Sequence, residues 1–206
     1  MGNPWETINL SDYEKHMSLE SVYQLQALNE MMKEQLDAFD ADTVMILGIA
    51  GGNGLEHIRK EKVNKVYGVD VNPNYLAECE KRYRELQGIL EPVCVDLLSK
   101  KIKLPTAKVL IANLLIEYIG YECFKRVARQ VKPEYISCII QINEEESFVS
   151  ESPYIHVFDC LEAVHHQMEA ERLTKCMQEA SYEKRGTTER VLPNGKKLVR
   201  IDFKEF

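Results

Sequence analysis

Seven residues, Gly48-Ile49-Ala50-Gly51-Gly52-Asn53-Gly54, follow directly on the apolar run Val44 to Leu47. A glycine-rich turn after a buried strand lets the backbone bend sharply and approach a ligand closely, and a helix opening behind it would offer free N–H groups. Asp70 closes a second apolar run, Val66 to Val69, about one βαβ step later. A carboxylate at that spacing can accept both hydroxyls of a ribose. Asp96 follows a third strand candidate, Pro92 to Val95, and Asn113 ends a fourth, Val109 to Ala112. Four successive strands thus deliver a glycine turn, two acids and an amide to one sheet edge, where open α/β sheets bind ligands.

The elements that must hold these groups can be read from the pattern. Ser11 with Glu14 reads as a capping box opening a short helix. Val22, Leu25, Leu28, Met32, Leu36 and Phe39 make one apolar stripe at helical spacing. Asn72-Pro73 predicts the start of a helix bearing Leu76, Cys79, Tyr83 and Leu86, ended by Gly88. A helix over Tyr121 to Val131 stops at Pro133, a strand spans Tyr135 to Ile142, and a helix is expected from about Asp159 to Ala180. Pro193-Asn194-Gly195 predicts a terminal hairpin whose last strand alternates Val199, Ile201 and Phe203 with Arg200, Asp202 and Lys204. Alternating βα units imply a doubly wound, mostly parallel seven-stranded α/β sheet with an antiparallel C-terminal hairpin strand and N-terminal helices. One domain is expected over residues 1–206, with 1–42 as a helical cap and 43–206 as a Rossmann-like core.

Composition narrows the function. A net charge of −7 argues against a binder of phosphate backbones, so nucleic acid is not the expected partner. Six scattered cysteines show no CxxC pair, hence no zinc-ligand spacing, no metal site and no disulfide framework. Neither a signal-peptide pattern nor a bilayer-length apolar run occurs, which gives the expectation of a cytoplasmic protein without a membrane partner. G-x-G-x-x-G fails because His57 stands three beyond Gly54, and no P-loop pattern occurs.

From about residue 43 onward the chain resembles the class I S-adenosylmethionine-dependent methyltransferases. Val44 to Gly54 is similar to that family's first motif and Val66 to Asn72 to its second, whose acid, here Asp70, holds the ribose. Val95-Asp96-Leu97 is similar to the third, whose acid meets the adenine amino group, and Val109 to Leu115 to the fourth. The resemblance implies S-adenosylmethionine as cofactor, S-adenosylhomocysteine as its product, and a cofactor site over Gly48, Ala50, Gly52, Gly54, Asp70, Val71, Asp96, Leu97 and Asn113. Two positions depart from it. Gly48 stands where an acid is usual and Ala50 where a glycine is common. The methionine amino group would then rely on Asn113, a backbone carbonyl or the N-terminal region. Asn113-Leu114-Leu115-Ile116 also differs from the motif used on exocyclic base amines.

Methyl transfer from a sulfonium is an in-line displacement that positioning can drive, with a base needed only if the acceptor must lose a proton. Candidates for that role are His16, Glu117 and Tyr118, and candidates for acceptor contact are Tyr13, His16, Tyr23 and Tyr154. Met17 and Gln24 lie beside the first group. The segment Asn143 to Phe158, with Glu144, Glu145, Glu146, Glu151 and His156, reads as a solvated loop or as a negative rim favouring an amine. His165 and His166 are expected on a helix remote from the strand ends. A small-molecule acceptor is the first expectation. A protein or peptide acceptor, and an inactive cofactor-binding module, remain alternatives, and oligomeric state is left open.

Overall fold

In the computed structural model, residues 2–143 and 149–206 are described. Two helices, α1 (Leu10–Ser18) and α2 (Gln24–Ala38), precede the strand β1 (Thr43–Leu47). Then come β2 (Lys65–Asp70), α3 (Pro73–Arg82), β3 (Leu90–Cys94), β4 (Val109–Asn113), α4 (Ile116–Val131) and β5 (Tyr135–Ile142). The helix α5 (Ala170–Gln178) leads to the hairpin β6 (Tyr182–Val191) and β7 (Lys197–Glu205). The sheet order is β3-β2-β1-β4-β5-β7-β6, with β1 to β5 parallel and β7 antiparallel to both neighbours. This is the doubly wound sheet that the apolar runs predict.

Interior parallel strands are covered on both faces, which is why β1, β4 and β5 read as continuous apolar runs. Val44, Ile46, Val109 and Ile111 pack with Met32, Leu76 and Cys79 from α2 and α3. Met45, Leu110, Ile136 and Cys138 pack with Phe124, Val127, Leu173 and Met177 from α4 and α5.

Four local expectations change. No α-helix follows the glycine turn; only a 3-10 turn, Leu55–His57, lies between it and β2. The turn consumes the residues a crossover helix would need, and its glycines are poor helix formers. α2 covers that sheet face instead, packing so closely that a Cβ on Gly54 would meet Met32 Cγ at 2.6 Å. At α1 the cap is Asn9, whose side chain accepts from Ser11 N, while Glu14 pairs with Arg82 at 2.8 Å. The span from Asp159 holds a 3-10 turn (Ile155–Leu161) and irregular chain before α5 begins at Ala170. Finally, β7 is more buried than its alternation predicts: flanked by β5 and β6, it buries Arg200 as well as Ile201 and Phe203. The Arg200 guanidinium is matched by Asp202, with donor–acceptor distances of 2.9 and 2.7 Å.

Candidate active site

The carboxyl ends of β1 to β4 border a cavity of about 330 Å³, lined by Gly48, Ala50, Asp70, Val71, Asp96, Leu97 and Asn113 among others. Gly48 and Ile49 both donate their N–H to Val69 O, which folds the chain back over β2. Gly48 takes φ +66°, and a Cβ there would lie 3.1 Å from Leu115 Cδ1. An acid at this position would be strained and crowded, which accounts for the glycine. Ala50 is also left-handed, at φ +47°, and its N–H donates to Asp70 Oδ2 at 2.9 Å. Asp70 Oδ1 accepts from Asn72 N at 2.9 Å. Burial raises the Asp70 carboxyl above its ordinary value, against the pull of these backbone N–H groups. The Val71 N–H also bears on this carboxylate, which keeps acceptor capacity for a ligand hydroxyl.

Gly52 and Gly54 are not brought to the cavity wall. A Cβ on Gly52 would stand 2.7 Å from Cys79 Sγ, and these two glycines give room to α3 and α2. Asn113 reaches the wall, but its amide is committed. It exchanges two hydrogen bonds with the Gln35 amide, at 2.8 and 2.9 Å. Gln35 continues to Ser137 Oγ at 3.0 Å, and Ser137 to Asp202. Asn113 is therefore a strut between β4 and α2.

The N-terminal segment reaches the cavity through residues that the motifs do not mark. Gly2, Asn3, Pro4 and Trp5 line the cavity. Asn3 and Glu6 form a capping box on the 3-10 turn Pro4–Glu6, a signal that was legible in the spacing. Three cross-links seat it: Asn3 Nδ2 donates to Asp96 Oδ1 (3.3 Å), Asn72 Nδ2 to Trp5 O (3.0 Å), and Tyr75 OH to Ile8 O (2.9 Å).

Behind Trp5 lies a smaller chamber of about 50 Å³. It shares Trp5, Tyr13, Leu114 and Tyr118 with the cavity and adds His16, Glu117, Gln141, Phe158 and His165. Trp5 stands edge-on to Tyr13 and Tyr118, with ring centroids 5.7 and 4.9 Å away. Glu117, from the first turn of α4, is 3% exposed. Its Oε1 accepts from Gln141 N at 2.8 Å, while Oε2 has no partner among the described residues. Burial pushes this carboxyl up to about 7. His16 Nδ1 lies 2.7 Å from Ser152 Oγ, and its ring centroid is 4.7 Å from that of Phe158. Burial, helped by the charge of Lys196, lowers His16 to about 4, so it is neutral at neutral pH. Burial also raises the phenols of Tyr13 and Tyr118 far above their ordinary value.

His165 is not remote. Irregular chain carries it to the chamber, 5.8 Å from Tyr118 between ring centroids, while His166 N donates to Glu117 O at 2.7 Å. Burial likewise lowers His165 to about 4. Tyr23 and Tyr154 line neither space: Tyr23 is an exposed left-handed N-cap of α2, and Tyr154 has the Lys15 ammonium 6.0 Å from its ring centroid. Glu144, Glu145 and Glu146 lie outside the described residues. Glu151 is exposed, and exposed His156 pairs with Asp159 at 3.2 Å. Among the described residues no group of His, Cys, Asp and Glu is placed to hold a metal ion, and no helix is long and apolar enough to cross a membrane.

No protein-family model matches the sequence, and no curated protein matches it. Solved structures do match the fold. A geranyl diphosphate methyltransferase in complex with SAM aligns at a TM-score of 0.67 and 12% identity, over 87% of this chain and 85% of that one. Magnesium protoporphyrin IX methyltransferase from Synechocystis PCC 6803 aligns at 0.64 and 11%, over 88% and 83%. The [4+2]-cyclase SpnF aligns at 0.64 and 10%, over 87% and 80%. The chain thus has the fold of the class I S-adenosylmethionine-dependent methyltransferases. A cyclase among the matches shows that the fold does not by itself choose the reaction.

Proposed function

We propose that this chain is an S-adenosylmethionine-dependent methyltransferase acting on a small molecule. The observation that carries the reading is a cavity at the Asp70 and Asp96 carboxylates, on successive strand ends, that shares Trp5, Tyr13, Leu114 and Tyr118 with a smaller chamber holding a near-neutral carboxyl. Its residues fit the cofactor. Asp70, beside Val71, has lone pairs for ribose hydroxyls, and Gly48 and Ala50 bring backbone close to the ligand. Asp96, beside Leu97, already accepts an N–H from the Asn3 amide, the kind of donor an adenine amino group presents. When bound, the cofactor would supply an electrophilic methyl group on a sulfonium.

The protein's task is then positioning. The aromatic wall of Trp5, Tyr13 and Tyr118 holds an acceptor against the cavity and excludes water. Residues 1–42 serve as the cap on the core formed by 43–206. A protein or peptide acceptor fits less well, because the chamber holds about 50 Å³ and lies behind Trp5.

Calorimetric titration with S-adenosylmethionine and S-adenosylhomocysteine tests the reading. Saturable binding that Asp70→Asn weakens is expected; no binding by the parent chain would overturn it. Binding without methyl transfer across a broad acceptor set would favour an inactive module.

A further inference from the structure

Among the described residues three buried side-chain polar atoms have no hydrogen-bond partner: Trp5 Nε1, Gln26 Oε1 and Glu117 Oε2. Two of the three belong to residues lining the inner chamber. Buried polar groups without partners are rare and costly, and here they are complementary. The indole N–H can only donate, and the ionised carboxylate can only accept. A ligand that answers both must carry a donor and an acceptor.

The rest of the wall narrows its chemistry. Trp5, Tyr13, Tyr118 and Phe158 meet edge to face, an arrangement that accepts one more flat ring. Around Glu117 stand His16 and Tyr13 from α1, Tyr118 on its own helix, and His165 and His166 from the segment before α5. Cys138 on β5 also lies within electrostatic reach of Glu117. His16, His165, Tyr13, Tyr118 and Cys138 are all held in their neutral forms at neutral pH. Lys196 adds a positive charge felt by both His16 and His165. Such surroundings favour an uncharged acceptor over an ammonium. A hydroxyl fits the orphan pair better than an amine. Its proton can go to Glu117, one oxygen lone pair can accept from an N–H, and a second lone pair remains for the methyl group. A neutral amine has a single lone pair for both tasks.

Resting on the methyltransferase reading, we propose that the inner chamber binds the hydroxyl end of a small aromatic alcohol and that Glu117 is the base that takes its proton. In the step, the O–H proton passes to Glu117 Oε2 and the oxygen forms a bond to the sulfonium methyl carbon. The carbon–sulfur bonding pair stays on sulfur, giving a methyl ether, a neutral thioether and a protonated Glu117 that later loses its proton to water. A carboxyl whose burial places it at about 7 suits this exchange near neutral pH.

Trp5 is the only tryptophan in the chain, so its emission reports on the chamber. Phenol and benzylamine are the probes, with excitation at the red edge of indole absorption. Phenol should change the emission saturably and bind more tightly than benzylamine. Glu117→Gln, which keeps an acceptor for Gln141 N, should weaken phenol about tenfold, the worth of a hydrogen bond to a charged group. Its affinity for S-adenosylmethionine should stay at the parent value, which also shows that the variant is folded. In the parent chain, bound phenol should lower the pH midpoint of the Glu117 carboxyl infrared band, because a donor favours the ionised form. No saturable response, equal phenol binding by Glu117→Gln, tighter benzylamine binding, or an unmoved midpoint would each overturn the proposal. Failure of the parent to bind S-adenosylmethionine while phenol still binds would instead sink the methyltransferase reading, and with it the base role of Glu117, while the phenol site stands.

Discussion

The cavity and the inner chamber share the walls of Trp5, Tyr13 and Tyr118, yet they are assembled by opposite means. Asp70, Asp96 and Asn113 in the cavity stand at the end of a strand or just beyond it, and parallel pairing carries them to one edge. The chamber joins α1, the first turn of α4, β5 and the irregular chain around residue 165. His16 and Ser152, which meet there, are 136 residues apart in sequence. Backbone pairing fixes the first space and side-chain packing the second. Cofactor recognition should therefore depend on a few strand-end groups, while acceptor recognition should depend on how the cap docks.

The largest expected effect is on the cavity side. Asp70→Asn should weaken S-adenosylmethionine by about a hundredfold in calorimetry, because charged acceptors for ribose hydroxyls are lost. Phenol binding at Trp5 should stay within about twofold of the parent, since the Asp70 carboxylate has no part in the chamber's hydrogen bonds. Equal losses at both sites would break the separation between the two spaces.

Next comes the cost of keeping Glu117 buried. Its carboxyl titrates higher when folded than unfolded, so the unfolded chain ionises first as pH rises. Stability is retained below the unfolded value and lost as pH climbs through about 7. Glu117→Gln should thus gain about 3 kcal/mol over the parent by about pH 8.5 and little by about pH 4, measured by denaturant unfolding. The chamber histidines act on the acid side. With folded values near 4, His16 and His165 favour the unfolded state as pH falls below their ordinary value. A gain by Glu117→Gln that is the same at both pH values would mean that ionisation of the buried carboxyl is not its source.

Asn3→Ala removes the amide that occupies Asp96 and should tighten S-adenosylmethionine binding by about threefold, as the loss of a modest, solvent-touched hydrogen bond allows. Weaker binding would show that the segment over the cavity belongs to the binding surface rather than competing with the ligand. Smallest of all, Ala50→Gly should shift stability by under about 1 kcal/mol, since relief of the left-handed alanine is offset by a freer unfolded chain.

The strand-edge site was largely legible because its spacing is local. Asp70 lies at the end of its own strand, and the apolar runs locate β1, β2, β4 and β5 without knowledge of anything distant. Four features were not. The helix expected after Gly54 is absent, because α2, earlier in the chain, already covers that sheet face. His165 reads as helical and remote, because periodicity cannot show that the chain from Glu162 to Glu169 turns back over Glu117. His16, Glu117 and Tyr118 could be named by their chemistry, but nothing in their spacing says that they share a wall. Trp5, which lines both spaces, went unread as a site residue.

The cross-links of residues 2–8 carry a consequence in time. Chains grow from the N-terminus, so Trp5 is made long before Asn72, Tyr75 and Tyr118, and before Phe158, Leu161 and Val164 of the cluster around Ile8. At ordinary rates of synthesis the indole would wait on the order of ten seconds or more for its last neighbour. The segment that lines both spaces is thus made before the strand ends, helices and turns on which it docks. In chains truncated before Phe158, Trp5 emission should stay short of its native value.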